Sequence, residues 1–315
     1  MRISKPQVLF DVPVLQIVIL SLLFGLSCAK SEPETPTITK LKLIKALPLE
    51  GLENAEPSGL TMVDDVLYTI SDDHDDTIFK ITVLEDKAIL EPHIRFKIAI
   101  PDGEKTLDLE GITRDDEGNF YLVSESTFRI LKVSADGKEV SWATPSLQLF
   151  GRAEGLFQRV NANLEGITFI GGNKFVLCAE LQPRGILEID LQRIPEQVRI
   201  IVNNESIIKP PRGRAPDYSG LYFEDDALYV LERGAHAICQ IDLIEGKVVE
   251  RTVWSYADIE NREDLVYSDK KYGHGEGLYM DDENIYVILD NGGDHREIDP
   301  NDRRPLLLIM ERPKI

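Results

Sequence analysis

Five residues with oxygen-bearing side chains stand directly before five spaced glycines: Ser58, Glu110, Glu165, Ser219 and Glu276. The glycines themselves, Gly59, Gly111, Gly166, Gly220 and Gly277, are separated by 52, 55, 54 and 57 residues. A second set, Asp72, Glu125, Glu180, Glu232 and Asp290, falls 12 to 14 residues after each glycine. Carboxylates brought together at equivalent places of a repeat repel one another unless something compensates them. Hard cations take their ligands from carboxylate, carbonyl and water oxygens, so Ca2+ is the natural partner of such a set, and Mg2+ suits it less because it demands tighter octahedral geometry. The acids expected to ligate it are Glu110, Glu165, Glu276, Asp72, Glu125, Glu180, Glu232 and Asp290. The competing reading for any one of them is a carboxylate that accepts backbone N–H groups of a neighbouring repeat and locks it. Zinc has no support, because His74, His93, His236, His274 and His295 are dispersed without Cys/His spacing.

Arginines and a histidine stand close to these positions. Arg184, Arg233 and His274 each lie within a few residues of one of the acids, and a cationic or hydrogen-bonding side chain beside a carboxylate-held cation suits a phosphate or carboxylate ligand. They are the candidate catalytic residues. The wider basic set, including Arg152, Arg159, Lys209, Arg212, Arg214, Arg296 and the Lys270–Lys271 pair, is expected mostly to pair with acids. The run Asp72-Asp73-His74-Asp75-Asp76 lacks the glycine and terminal glutamate of an EF-hand loop and reads as a solvated acidic loop. No Gly-x-Ser-x-Gly elbow, HExxH, P-loop or GxGxxG is present.

What must position these residues is a repeat of about 55 residues with strand-like content, the pattern of a β-propeller. In the second repeat, Leu109 to Thr113 is a first strand and Asp115 to Asn119 a hairpin turn. Phe120 to Ser124, Phe128 to Ser134 and Glu139 to Ala143 follow as the second, third and fourth strands. Third strands elsewhere are centred on Ile78–Ile81, Ile186–Ile189, Ile238–Ile241 and Leu306–Ile309. The last repeat ends at Ile315 before a fourth strand can form, and a surplus strand lies at Ile38 to Leu47. The spacing therefore predicts an all-β, five-bladed propeller closed by that N-terminal strand; six blades is the alternative. Each glycine is expected where first strands crowd the axis and leave no room for a Cβ. In a blade the first strand begins, and the second ends, on one face, so both acid sets should line one mouth of the channel.

Ahead of the propeller, Arg2, Lys5 and the apolar run Val14–Leu26 resemble an export signal. That run is too short for a membrane span. Phe24-Gly25-Leu26-Ser27-Cys28 resembles a lipobox with Gly25 in place of leucine. Residues 1–28 are thus expected to be a lipoprotein signal with Cys28 the lipidation site, 29–37 a polar tether, and 38–315 the propeller. The net charge of −20 argues against nucleic acid as a partner. Beyond Cys28 only Cys178 and Cys239 remain, both in apolar strand runs, so buried thiols are expected instead of a disulfide framework.

The segment DLEGITRDDEGNFYLVSES, the run Asn161-x-Asn163-Leu164-Glu165-Gly166-Ile167 leading to Ala179-Glu180, and GEGLYMDDENIYVILDNGG followed by PLLLIMERP resemble the propeller family named for the esterase-like activity of phytase. The related SdiA-regulated family shares the likeness. The resemblance implies an exported propeller in families where calcium sites occur. The function expected on all this is a lipid-anchored module of the bacterial cell envelope, periplasmic or surface-exposed and monomeric, that binds a small anionic ligand or an envelope protein. Metal-assisted hydrolysis of phosphate or carboxylic esters is the alternative.

Overall fold

The computed structural model describes residues 38–101, 103–269 and 272–314. The expected signal, tether and lipidated Cys28 lie outside the described residues.

Four-stranded antiparallel units succeed one another along the chain. Blade one is Pro57–Val63, Val66–Ser71, Thr77–Val83 and Ala88–Arg95; blade two is Leu109–Arg114, Phe120–Ser124, Arg129–Val133 and Val140–Trp142. Blade three is Leu164–Phe169, Lys174–Ala179, Arg184–Asp190 and Val198–Asn203, and blade four Gly220–Glu224, Ala227–Glu232, Ala237–Ile244 and Lys247–Ser255. Blade five takes Gly275–Met280, Asn284–Leu289 and Leu306–Glu311 from the C-terminal end. Its fourth strand is Leu43–Glu50, antiparallel to Leu306–Glu311 with Leu47 opposite Leu307.

The closure therefore forms as expected, with one difference. The N-terminal segment is two strands: Ile38–Lys40 adds in parallel to the outer strand of blade four, Ile38 opposite Val253, before Leu43–Glu50 enters blade five. Between them the Leu41 N–H still bonds Ser255 and the Lys42 carbonyl already serves Glu311, so the chain changes partners there. The far end of Leu43–Glu50 pairs in parallel with blade one, Leu49 opposite Ala88, so the two N-terminal strands together lace three blades and cover their edges.

First strands contact one another in cyclic order, blade one to two, two to three, three to four, four to five and five back to one. The glycines sit where they touch. A Cβ on Gly111 would lie 2.5 Å from the Glu165 carbonyl oxygen, and one on Gly277 would lie 2.5 Å from the backbone of Gly59. Second strands read as continuous apolar runs because neighbouring blades cover both of their faces. Leu122 faces the cluster shared with blade one and Val123 the cluster shared with blade three. Val176 and Leu177 divide in the same way between blades four and two. Cys178 and Cys239 are free and buried between blades three and four.

Candidate functional site

The acid before the glycine does not sit in a regular strand. The pairing register slips between Leu109 and Gly111, between Leu164 and Ile167, and between Gly275 and Gly277, so Glu110, Glu165 and Glu276 each occupy a bulge. A bulge leaves one residue outside the ladder and re-aims its side chain. The three acids meet as a result: Glu165 feels Glu110, Glu180 and Glu276 as neighbouring charges, and Glu110 feels Glu276, Asp72 and Glu125. In blade four the register is regular, and Ser219 donates its hydroxyl to the Gly275 carbonyl at 2.7 Å as an inter-blade lock.

The mouth has two unlike sides. On the side of blades three to five, the Arg233 guanidinium bonds Glu180 and Glu276, and its Nε lies 3.4 Å from Asp217. Asp217 also accepts the Gly234 N–H at 2.8 Å. Burial raises the Glu180 carboxyl, opposed by Arg233, and pushes Glu276 up to about 8 against the same opposition. Close by, the buried Glu260 accepts from Nδ1 of His236 and Nδ1 of His274, each at 2.8 Å, and from the His274 backbone N–H at 2.9 Å. Burial alone would raise Glu260, yet the two imidazoles hold it at about 2. Burial likewise opposes a charged His236, and Glu260 outweighs it, so that imidazole is raised.

Two expectations change here. Arg184 is not at the mouth: it is 1% exposed and lies over the Tyr218 ring at 4.1 Å. It pairs with Glu232 and Glu250, both at 2.8 Å. Glu232 goes with it into this buried network, held at about 7 by burial that Arg184 opposes, and also accepts the Ser206 hydroxyl. The reason is register: Arg184 opens the third strand of blade three, where it reaches across to blade four instead of into the channel.

On the side of blades one and two no arginine pairs with the mouth acids among the described residues. Carboxylate oxygens of Asp72, Asp108 and Glu110 lie within 4.8 Å of one another, and so do those of Glu56, Asp72 and Asp73. None of these five acids has an ion-pair partner among the described residues. Asp72 Oδ1 is buried with no hydrogen-bond partner. Burial first, then Glu56 and Asp290, push Asp72 up to about 8. Burial and the charges of Glu276, Asp108 and Asp72 hold Glu110 well above the usual carboxylate range. Glu125 is pushed up to about 8 by burial, against the Asn163 N–H that it accepts at 2.9 Å. Asp290 lies at the seam of the two sides and is raised by burial, with the Gly292 N–H opposing.

The acidic run 72–76 docks instead of floating. Asp75 accepts the N–H groups of Leu107 and Asp108 at 2.6 and 2.9 Å, which orients Asp108 in a left-handed conformation at φ 53°. Sequence reasoning missed Asp108, Glu56, Asp73, Asp217 and Glu260. Of these, Asp108 carried a readable signal, its place in the Asp-Leu-Glu-Gly run. A hard cation fits the open side: the donors are all oxygen, one is buried and orphaned, and none is paired with a side-chain cation among the described residues.

Comparison with known proteins agrees with this architecture. The structure resembles glutaminyl cyclase from Myxococcus xanthus, with a TM-score of 0.50, 13% identity, and coverage of 88% of this chain and 100% of that one. It also resembles the PQQ-bound aldose sugar dehydrogenase of Streptomyces coelicolor, with a TM-score of 0.51, 12% identity, and coverage of 86% and 98%. Both likenesses are to the fold. No curated protein matches the sequence. The family model described as "Phytase-like: Esterase-like activity of phytase" matches residues 55–289, and the chain belongs to that family.

Proposed function

We propose that this propeller is a cation-dependent binding module of the cell envelope, with Ca2+ held on the open side of the mouth by Asp72, Asp108 and Glu110, flanked by Glu56 and Asp73. The observation that carries the reading is the buried, unpartnered Asp72 Oδ1 inside an oxygen-only group. The ligand is a small anion or an anionic segment of an envelope protein, drawn to the bound cation. Export and a lipid anchor at Cys28 complete the reading, and the short apolar run followed by a lipobox-like sequence supports them.

Ester hydrolysis is the second reading, and the family's name favours it. A bound divalent cation would supply Lewis acidity and a more acidic water. The chain's own contribution is weaker. The two arginines among the candidate catalytic residues are each already held by carboxylates, Arg184 wholly buried and Arg233 paired on both sides, so their charge is engaged within the protein. Binding is therefore preferred over turnover.

Calorimetric titration of Ca2+ into the mature protein tests the proposal. One exothermic or endothermic site is expected in the wild type and its loss in Asp72→Asn. Absence of any site in a folded wild type sinks it.

A further inference from the structure

The repeats carry a second periodic feature that the acidic mouth does not use. Two residues beyond each glycine stands a hydroxyl: Thr61, Thr113, Thr168, Tyr222 and Tyr279. First strands run away from the acidic mouth, so these five come together at the other end. There they line a cavity of about 340 Å3 to which every blade contributes. The threonines are buried and the tyrosines half-buried, with the Tyr222 and Tyr279 rings edge to face at 5.1 Å.

Two of the hydroxyls are committed. Thr113 accepts the Phe169 N–H at 3.1 Å and Tyr222 donates to Glu224 at 3.1 Å. Those of Thr61 and Thr168 have no hydrogen-bond partner among the described residues, and neither oxygen is sealed from solvent. The charged lining residues Arg114, Asp115 and Asp116 follow Thr113 in the chain and stand beyond the hydroxyl ring. Asp115 is engaged by Asn119 and Tyr121. The ring itself is neutral, with uncommitted donors and acceptors beside aromatic faces.

We propose that this cavity binds a neutral polyhydroxylated ring, a pyranose sugar. Each threonine hydroxyl offers one donor and two acceptors and exchanges hydrogen bonds with the sugar's hydroxyls. The C–H face of the ring meets Tyr279 and Tyr222, the small apolar part of a lining that is otherwise polar and suited to a ligand rich in hydroxyls. The site is independent of the cation, whose ligands precede the glycines while these residues follow them.

Saturation-transfer NMR with methyl glucoside and methyl galactoside tests it. Transfer to ring protons of at least one glycoside is expected at millimolar concentration, unchanged by EDTA and by Asp72→Asn. Thr168→Val, which keeps the volume, should weaken binding about fivefold, the loss of one neutral hydrogen bond. Tyr279→Ala should weaken it further, and Thr168→Ser should retain it, which separates a lost hydroxyl from a disturbed fold. Absence of transfer from both glycosides, or equal binding by Thr168→Val and Tyr279→Ala, overturns the proposal.

Discussion

The two sides of the acidic mouth are built from the same repeat and solve the same electrostatic problem differently. On one side Arg233 gathers Glu180, Glu276 and Asp217, and Glu260 gathers His236 and His274. On the other, Asp72, Asp108 and Glu110 face one another and none has an ion-pair partner among the described residues. Buried like charges without a counter-ion ionise reluctantly. The second side lacks the counter-ion that Arg233 gives the first, although one oxygen of Glu276 is also buried without a hydrogen-bond partner. The difference teaches that a ring of equivalent acids is not one site. One residue, the arginine after the second strand of blade four, turns half of it into scaffold.

Breaking the locked side should have the largest effect. Arg233→Met leaves three buried carboxylates without their partner, and breaking such a network costs about 3–5 kcal/mol. The loss should be greatest at high pH and relieved in acid as the carboxyls protonate. Urea unfolding at pH 5 and pH 8 reads both. An unchanged midpoint at pH 8 would mean that the arginine locks nothing.

Gly111→Ala tests the frame that both sides share. Its Cβ would meet the Glu165 carbonyl at 2.5 Å, and overpacking of this kind costs about 1–3 kcal/mol. Calcium should restore little of it, because the strain lies in the backbone.

Breaking the open side should do the opposite. The folded pKa of Asp72 is raised to about 8 from an ordinary 3.8, so without metal this carboxyl lowers stability as pH climbs between those values. Asp72→Asn should therefore stabilise the metal-free protein at pH 8 by about 1–2 kcal/mol, roughly one pKa unit's worth. It should do nothing at pH 3, and a melting series from pH 4 to 9 shows the crossing. Destabilisation at every pH would mean that Asp72 has a structural partner.

The smallest effect is expected at His236. His236→Gln keeps a donor near Glu260 but removes its charge, costing about 1 kcal/mol at neutral pH. The Glu260 carboxyl is held at about 2 in the fold against 4.5 ordinarily. Its contribution is present above 4.5 and lost as pH falls through 2. His236 is raised in the fold, so its own contribution is full below the ordinary histidine value of 6.5 and fades as pH rises past the folded one. A loss that does not fade at high pH points to packing instead of charge.

Much of this frame was legible in the residues. Glycine spacing gave the blades and the missing fourth strand gave the closure, because both follow from periodicity alone. The meeting of Glu110, Glu165 and Glu276 was legible too, since one strand direction serves every blade. What was not legible is which acids are neutralised. Arg233 directly follows its second strand and turns into the mouth, whereas Arg184 opens the third strand of blade three and reaches across to blade four; nothing in the repeat pattern weighed one against the other. Glu260 comes from a four-residue helix in the long entry loop of blade five, with no repeat equivalent to announce it. The left-handed turn that aims Asp108 depends on Asp75, 33 residues away.

The most direct test of the division is a calcium titration compared across its two sides, in Asp72→Asn and Glu180→Gln. A cation bound only by the folded state raises stability by about 2.7 kcal/mol at a hundredfold excess over Kd, so melting and calorimetry should agree. The account predicts that Glu180→Gln binds calcium as the wild type does, while Asp72→Asn binds none and gains no melting temperature from it. Loss of binding in Glu180→Gln with full binding in Asp72→Asn would contradict it.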